Sequence, residues 1–244
     1  MQLHVETRGH GPVRLALVHG FLGSGPLWTD VVDALDPDRF TVLLVDLRGH
    51  GASPRADTAA GERYGLAMMA ADLVETLPTG LDAVVGHSLG GRVVADAVGS
   101  LQPRRAVYLD PGFGLRLPRD GVLGTLFWRT PGLRGVVAWA YDRVDRRLDA
   151  ANAALVDAAH RQWDRSMAAD VLQDVAVHPV PPAAPVVPST LVLSDDARLV
   201  VPPADVDRFA ALGWEVVRMP GIHHDVLLLD GPRTARVIEQ AVLR

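Results

Sequence analysis

Val84-Val85-Gly86-His87-Ser88-Leu89-Gly90-Gly91 decides the fold. Leu81 to Val85, ahead of it, is apolar and β-branched, which suits a strand covered on both faces. Behind it, Val93, Val94, Ala97 and Val98 recur at helical spacing. Between strand and helix stands G-x-S-x-G. A turn that sharp brings the positions two before and two after the serine into contact, so both need hydrogen for a side chain, and Gly86 and Gly90 supply it. The turn lifts the Ser88 hydroxyl off the sheet and sets it at a helix N-terminus, where backbone N–H groups can hold a developing anion.

Working outward, the chain alternates strands and helices. Residues 2 to 7 alternate as an edge strand does, and Arg14–Val18, Phe40–Val45, Ala106–Leu109, Thr190–Leu193 and Trp214–Met219 read as further strands. Trp28–Leu35, Tyr64–Leu77 and Thr234–Leu243 carry helical periods. This alternation predicts an α/β fold, a mostly parallel sheet with helices on both faces. Ligands sit beyond the carboxyl ends of the strands in such sheets, and His19, Arg48, Ser88 and Asp110 all fall there. From 113 to 187 the rhythm breaks into helical patches with no convincing strand. We read 1–112 and 188–244 as the core and 113–187 as a helical cap. The proline-rich stretch 179–188 is its return strap.

Composition narrows the chemistry. The 244 residues include no cysteine, which excludes disulfides, cysteine nucleophiles and thiolate metal sites. The formal charge of −5 argues against nucleic acid as a partner. No apolar run is long enough to span a membrane, and the N-terminus lacks a basic segment or apolar signal core. The expectation is a cytoplasmic enzyme acting on a small-molecule substrate, with no membrane or nucleic-acid partner. Oligomeric state leaves no signature.

A serine hydroxyl needs a base, an orienter for the base and donors for the oxyanion. His224, in the loop after the last strand, is the candidate base, and its neighbour His223 competes. His19 and His50 read as structural, tying loop backbones together. The N–H of Leu89 is one oxyanion donor. The second comes from the loop after the Arg14–Val18 strand, as Phe21 N–H or, alternatively, Leu22 N–H.

His19-Gly20-Phe21-Leu22-Gly23-Ser24, Asp46-Leu47-Arg48-Gly49-His50-Gly51-Ala52-Ser53, the serine turn and Pro220-Gly221-Ile222-His223-His224-Asp225 together resemble the α/β-hydrolase superfamily. The resemblance implies an eight-stranded, mostly parallel sheet with the cap inserted after strand six. It also implies the order serine, acid, histidine, which Ser88 and His224 bracket. The acid departs from the usual pattern: aligned on Val201-Pro202, its place falls on Arg198. Asp196 and Asp110 stay as candidates. The candidate substrate contacts are Leu22, His87, Arg92, Trp128, Trp139 and Trp163, the tryptophans as apolar walls. Arg92 reads equally as a solvated helix residue.

Three functions follow. The first is a serine hydrolase, with no metal or organic cofactor, acting on small carboxylic esters or related acyl compounds through an acyl-enzyme. The second is a lyase: the Phe21 loop with Trp28, and Ser88-Leu89-Gly90-Gly91-Arg92, are similar to the menaquinone-pathway synthase that eliminates pyruvate, where the matching arginine helps bind carboxylates. The third is a non-catalytic ligand-binding member of the fold.

Overall fold

The computed structural model describes residues 1–115 and 148–244. Among the described residues, seven strands form one sheet in the order β1-β3-β2-β4-β5-β6-β7. They are β1 (Val5–Gly9), β2 (Val13–Val18), β3 (Phe40–Val45), β4 (Ala83–His87), β5 (Arg105–Leu109), β6 (Ser189–Leu193) and β7 (Glu215–Arg218). Only β1 is antiparallel, pairing with β3; the rest run parallel. The strands read from residue patterns are these seven. The eighth, implied by resemblance, is not found among the described residues, where β1 is the edge strand beside β3. The excursion expected after strand six accordingly follows β5.

The strand sequences explain the burial. Leu15 and Leu17 face one layer and Ala16 and Val18 the other, all fully buried, as period-two alternation with both faces covered requires. One layer holds α2 (Leu66–Thr76) and α3 (Leu89–Leu101), with Met69, Leu73, Val93, Val94 and Leu101 inward. The other holds α1 (Thr29–Asp33) and the closing helix at Gly231–Val242, with Trp28, Val31, Ala235 and Ile238 inward. Each such aliphatic or aromatic side chain contributes about 1.5–3 kcal/mol by leaving water.

Between β5 and β6 the described chain includes α4 (Ala150–Gln162) and α5 (Ala168–Val177). Asp149 caps α4, accepting from Asn152 N at 2.8 Å. Asn152 Nδ2 donates to Asp30 Oδ2 at 2.8 Å and to Leu228 O, docking α4 on the core. On α5, Val171 and Val175 join the core on the α2/α3 side. Gly65 offers α2 no side-chain cap, and Asp174 of α5 supplies one from outside by accepting Leu66 N at 2.8 Å. Bonds from Val180 N to Phe113 O and from Trp214 Nε1 to Ala183 O, each 2.8 Å, and from Ala106 N to Pro188 O at 3.0 Å hold the strap to the core. Trp128 and Trp139 lie outside the described residues. Among the described residues, no helix is long and apolar enough to cross a membrane.

Candidate active site

Ser88 stands between the end of β4 and the first turn of α3 at φ +49°, ψ −114°. The left-handed backbone costs a non-glycine residue about 1–3 kcal/mol and is tolerated only where the surroundings hold it. The glycines make the bend possible: a Cβ on Gly86 would lie 2.6 Å from Gly90 O, and one on Gly90 would lie 2.3 Å from Val18 O. Of four non-glycine residues with positive φ among those described, Leu22, Ser88 and Asp110 gather around this point; Gln102 merely ends α3.

His224 Nε2 lies 2.9 Å from Ser88 Oγ, and its Nδ1 lies 3.2 Å from Asp110 Oδ2. A carboxylate only accepts, so Nδ1 carries the proton and Nε2 is free to accept from the serine hydroxyl. Burial alone lowers the His224 pKa. The hydrogen bond to Asp110 and the charges of Asp225, Asp110 and Asp196 outweigh it, leaving the pKa above the ordinary histidine value.

Asp110 follows β5 and is fully buried. Its N–H donates to Val192 O at 2.9 Å, extending the β5/β6 ladder, and its φ of +40° turns the side chain toward His224. Asp196 meets a different histidine: its Oδ2 accepts from His223 Nδ1 at 2.7 Å. That pair is about one-third exposed. The structure thus joins Ser88, His224 and Asp110 and sets Asp196 on His223.

Residue patterns miss Ser194. Its N–H donates to Asp110 Oδ1 at 2.8 Å and its hydroxyl to Asp110 Oδ2. They also miss the brace formed by the next residue: Asp195 accepts Gly221 N and donates its own N–H to Ile222 O, each at 2.9 Å, which holds the histidine loop. The only signal was position at a strand C-terminus; the β5/β6 register (Leu109 beside Val192) makes it informative.

Leu89 opens α3 and has no intrahelical acceptor for its N–H. Phe21 lies across from it, in a loop that approaches closely because a Cβ on Gly20 would sit 2.9 Å from His87 Nδ1 and 3.1 Å from Ser88 Cβ. No backbone acceptor among the described residues takes the N–H of either Phe21 or Leu89. Two hollows meet at Ser88 and Phe21. One is apolar and includes Leu89, Leu115, Val171, Leu172, Val175 and Val200. The other includes His19, His87, His224, Asp225 and Leu228.

The expected substrate contacts fare unevenly. His87 borders the second hollow, with Nε2 donating to His224 O at 2.9 Å. Trp163 packs edge-on against Phe21, ring centroids 5.4 Å apart, and is not among the described lining residues of either hollow. Leu22, at φ +65°, is turned into the protein and is not among them either. Arg92 is buried, so it is no solvated helix residue. Its guanidinium pairs with Asp96 one turn along and donates to His178 O at 3.3 Å, and Arg92 is not among the described lining residues of either hollow.

His19 and His50 are fully buried loop ties, as expected. His19 Nδ1 donates to Gly20 O at 2.7 Å while Nε2 accepts Leu47 N–H at 3.0 Å, which requires the neutral ring. Burial holds His19 and His87 down to about 4 and His50 to about 3. The unfolded chain takes up these protons below about 6.5. The stability tied to these rings is therefore fully present above 6.5 and is lost as pH falls toward 4. His224, shifted upward, already contributes fully below 6.5, so it adds no slope in this window. The thermal midpoint falls between pH 6.5 and 5, above the range where carboxylates protonate; a flat midpoint there contradicts the burial argument.

The pattern of the alpha/beta hydrolase family matches residues 15–238. The chain is similar to 2-(acetamidomethylene)succinate hydrolase of Mesorhizobium japonicum, 39% identical over 90 residues, covering 37% of this chain and 31% of that protein. It is also similar to pimeloyl-[acyl-carrier protein] methyl ester esterase of Nitrosomonas europaea, 41% identical over 91 residues, covering 37% and 33%. The matched stretch thus spans about a third of the length of these relatives. The crystal structure of the enol-lactonase of Burkholderia xenovorans superposes with a TM-score of 0.76 at 19% identity, covering 99% of this chain and 96% of that one. With nearly the whole core matched and the same sheet beneath it, the chain belongs to the alpha/beta hydrolase family.

Proposed function

We propose that the protein hydrolyses carboxylic esters of small molecules through an acyl-enzyme on Ser88. The observation that carries this reading is the unbroken hydrogen-bonded chain Ser88–His224–Asp110 at the carboxyl ends of β4 and β5. Ser88 Oγ attacks the ester carbonyl carbon as its proton passes to His224 Nε2. The tetrahedral oxyanion lies between the N–H groups of Leu89 and Phe21, each such donor being worth about 2.7–4 kcal/mol to the transition state. Collapse expels the alcohol, which takes the proton from His224. A water then gives a proton to His224 as it attacks the acyl carbon, and collapse releases the acid as His224 returns that proton to Ser88 Oγ.

His224 must reach the leaving oxygen, so the alcohol lies in the hollow bordered by His224 and Leu228. The acyl group lies in the apolar one, where α5 contributes Val171, Leu172 and Val175. In this reading residues 113–187 act as the cap. The two relatives, one a methyl ester esterase and the other a hydrolase, support a reading of acyl chemistry. Arg92 is paired with Asp96 and bonded to His178 O and is not among the described lining residues of either hollow, which favours ester hydrolysis over pyruvate elimination.

A fluorophosphonate and a panel of short-chain esters test the proposal. The expected result is stoichiometric loss of ester turnover with the phosphonyl mass on the Ser88 peptide. An unlabelled Ser88, or a panel left untouched by folded protein, overturns it.

A further inference from the structure

We propose that Ser194 is a positioning residue for this reaction: its hydroxyl, given to the Asp110 oxygen that also faces His224, sets how firmly the carboxylate holds the His224 proton. The proposal rests on the acyl-enzyme reading and goes beyond it.

Parallel pairing of β5 with β6 places Leu109 beside Val192, so the residues just past each strand end, Asp110 and Ser194, become neighbours. Asp110 is fully buried and Ser194 nearly so. A charge removed from water has to be met by donors, and the contacts here divide unequally. Oδ1 accepts Ser194 N at 2.8 Å. Oδ2 accepts both the Ser194 hydroxyl and His224 Nδ1, the latter at 3.2 Å. Ser194 Oγ itself accepts Asp196 N at 3.1 Å, which leaves its single O–H for the carboxylate. The serine hydroxyl and the His224 ring are therefore two donors sharing one oxygen.

Removing the hydroxyl leaves Oδ2 to His224 alone. The carboxylate stays in place, because the Ser194 N–H still holds Oδ1. The imidazolium then gains a stronger partner, so it keeps its proton to higher pH and yields it less readily to the leaving group. The charged and titratable groups facing His224 are Asp110, Asp225, Asp196 and His87. Of these, Asp110 alone hydrogen-bonds the ring nitrogens, so the effect passes through it.

Ester hydrolysis by S194A and S194C is followed from pH 5 to 9, with NMR titration of the His224 ring. In S194A the acid limb of kcat/KM and the ring titration both move up by about half a pH unit or more. kcat at pH 7 falls about 3- to 10-fold, with KM nearly unchanged. S194C, matched in volume but a weak donor, moves the same way by less. Unmoved limbs in the folded variants overturn the proposal, whether or not kcat falls, because a purely structural role changes rate without retuning the base. Failure of the underlying reading is a separate result: the wild type would leave Ser88 unlabelled by the fluorophosphonate.

Discussion

Replacing Ser88 by alanine lowers kcat for ester hydrolysis about 10⁴- to 10⁶-fold. The magnitude follows from what the hydroxyl does: without it there is no acyl-enzyme, and the rate that survives comes only from binding and the oxyanion donors. The fold survives the change. Ser88 is nearly buried and the substitution removes a single oxygen, while the bend at φ +49° is held by Gly86, Gly90 and the bond from Gly112 N to Ser88 O at 2.9 Å. Pre-steady-state turnover, with circular dichroism to confirm folding, checks it. A folded S88A that retains turnover within tenfold of the wild type ends the acyl-enzyme reading.

D110N costs about 10⁴-fold in kcat, and D196N costs less than about threefold. An asparagine at 110 can offer its amide N–H to Nδ1, which moves the imidazole proton to Nε2, the wrong nitrogen to accept from Ser88. The same change removes the hydrogen bond and one of the charges that raise the His224 pKa, so any residual activity shows its acid limb at lower pH than the wild type. Asp196 is bonded to His223 at a partly exposed position, where loss of a charge is screened. Kinetics of both variants across pH separate the two carboxylates. A dead D196N beside an active D110N reverses the assignment.

Much of this site is written locally. An apolar strand, a bend demanding two glycines and an amphipathic helix are all contiguous, so Ser88 and the N–H of Leu89 can be placed from about fifteen residues of sequence. The position of His224 after the final strand is also local, as are the seven strands read from residue patterns, all of which are found among the described residues. Arg92 shows the limit. Its helical period says which face it occupies, yet its direction depends on Asp96 and on the carbonyl of His178, far along the chain.

The acid marks the same boundary. Asp110 and Asp196 follow adjacent strands, and each lies where a carboxylate can serve a histidine. Alone, the sequence determined the sheet, the bend and the places of Ser88 and His224 at the ends of their strands, because these depend on neighbours in the chain. Tertiary structure decided which aspartate meets which histidine, and that Ser194 shares the chosen one. Those pairings depend on strand register and on the left-handed turn at Asp110, and both arise only when distant segments pack together.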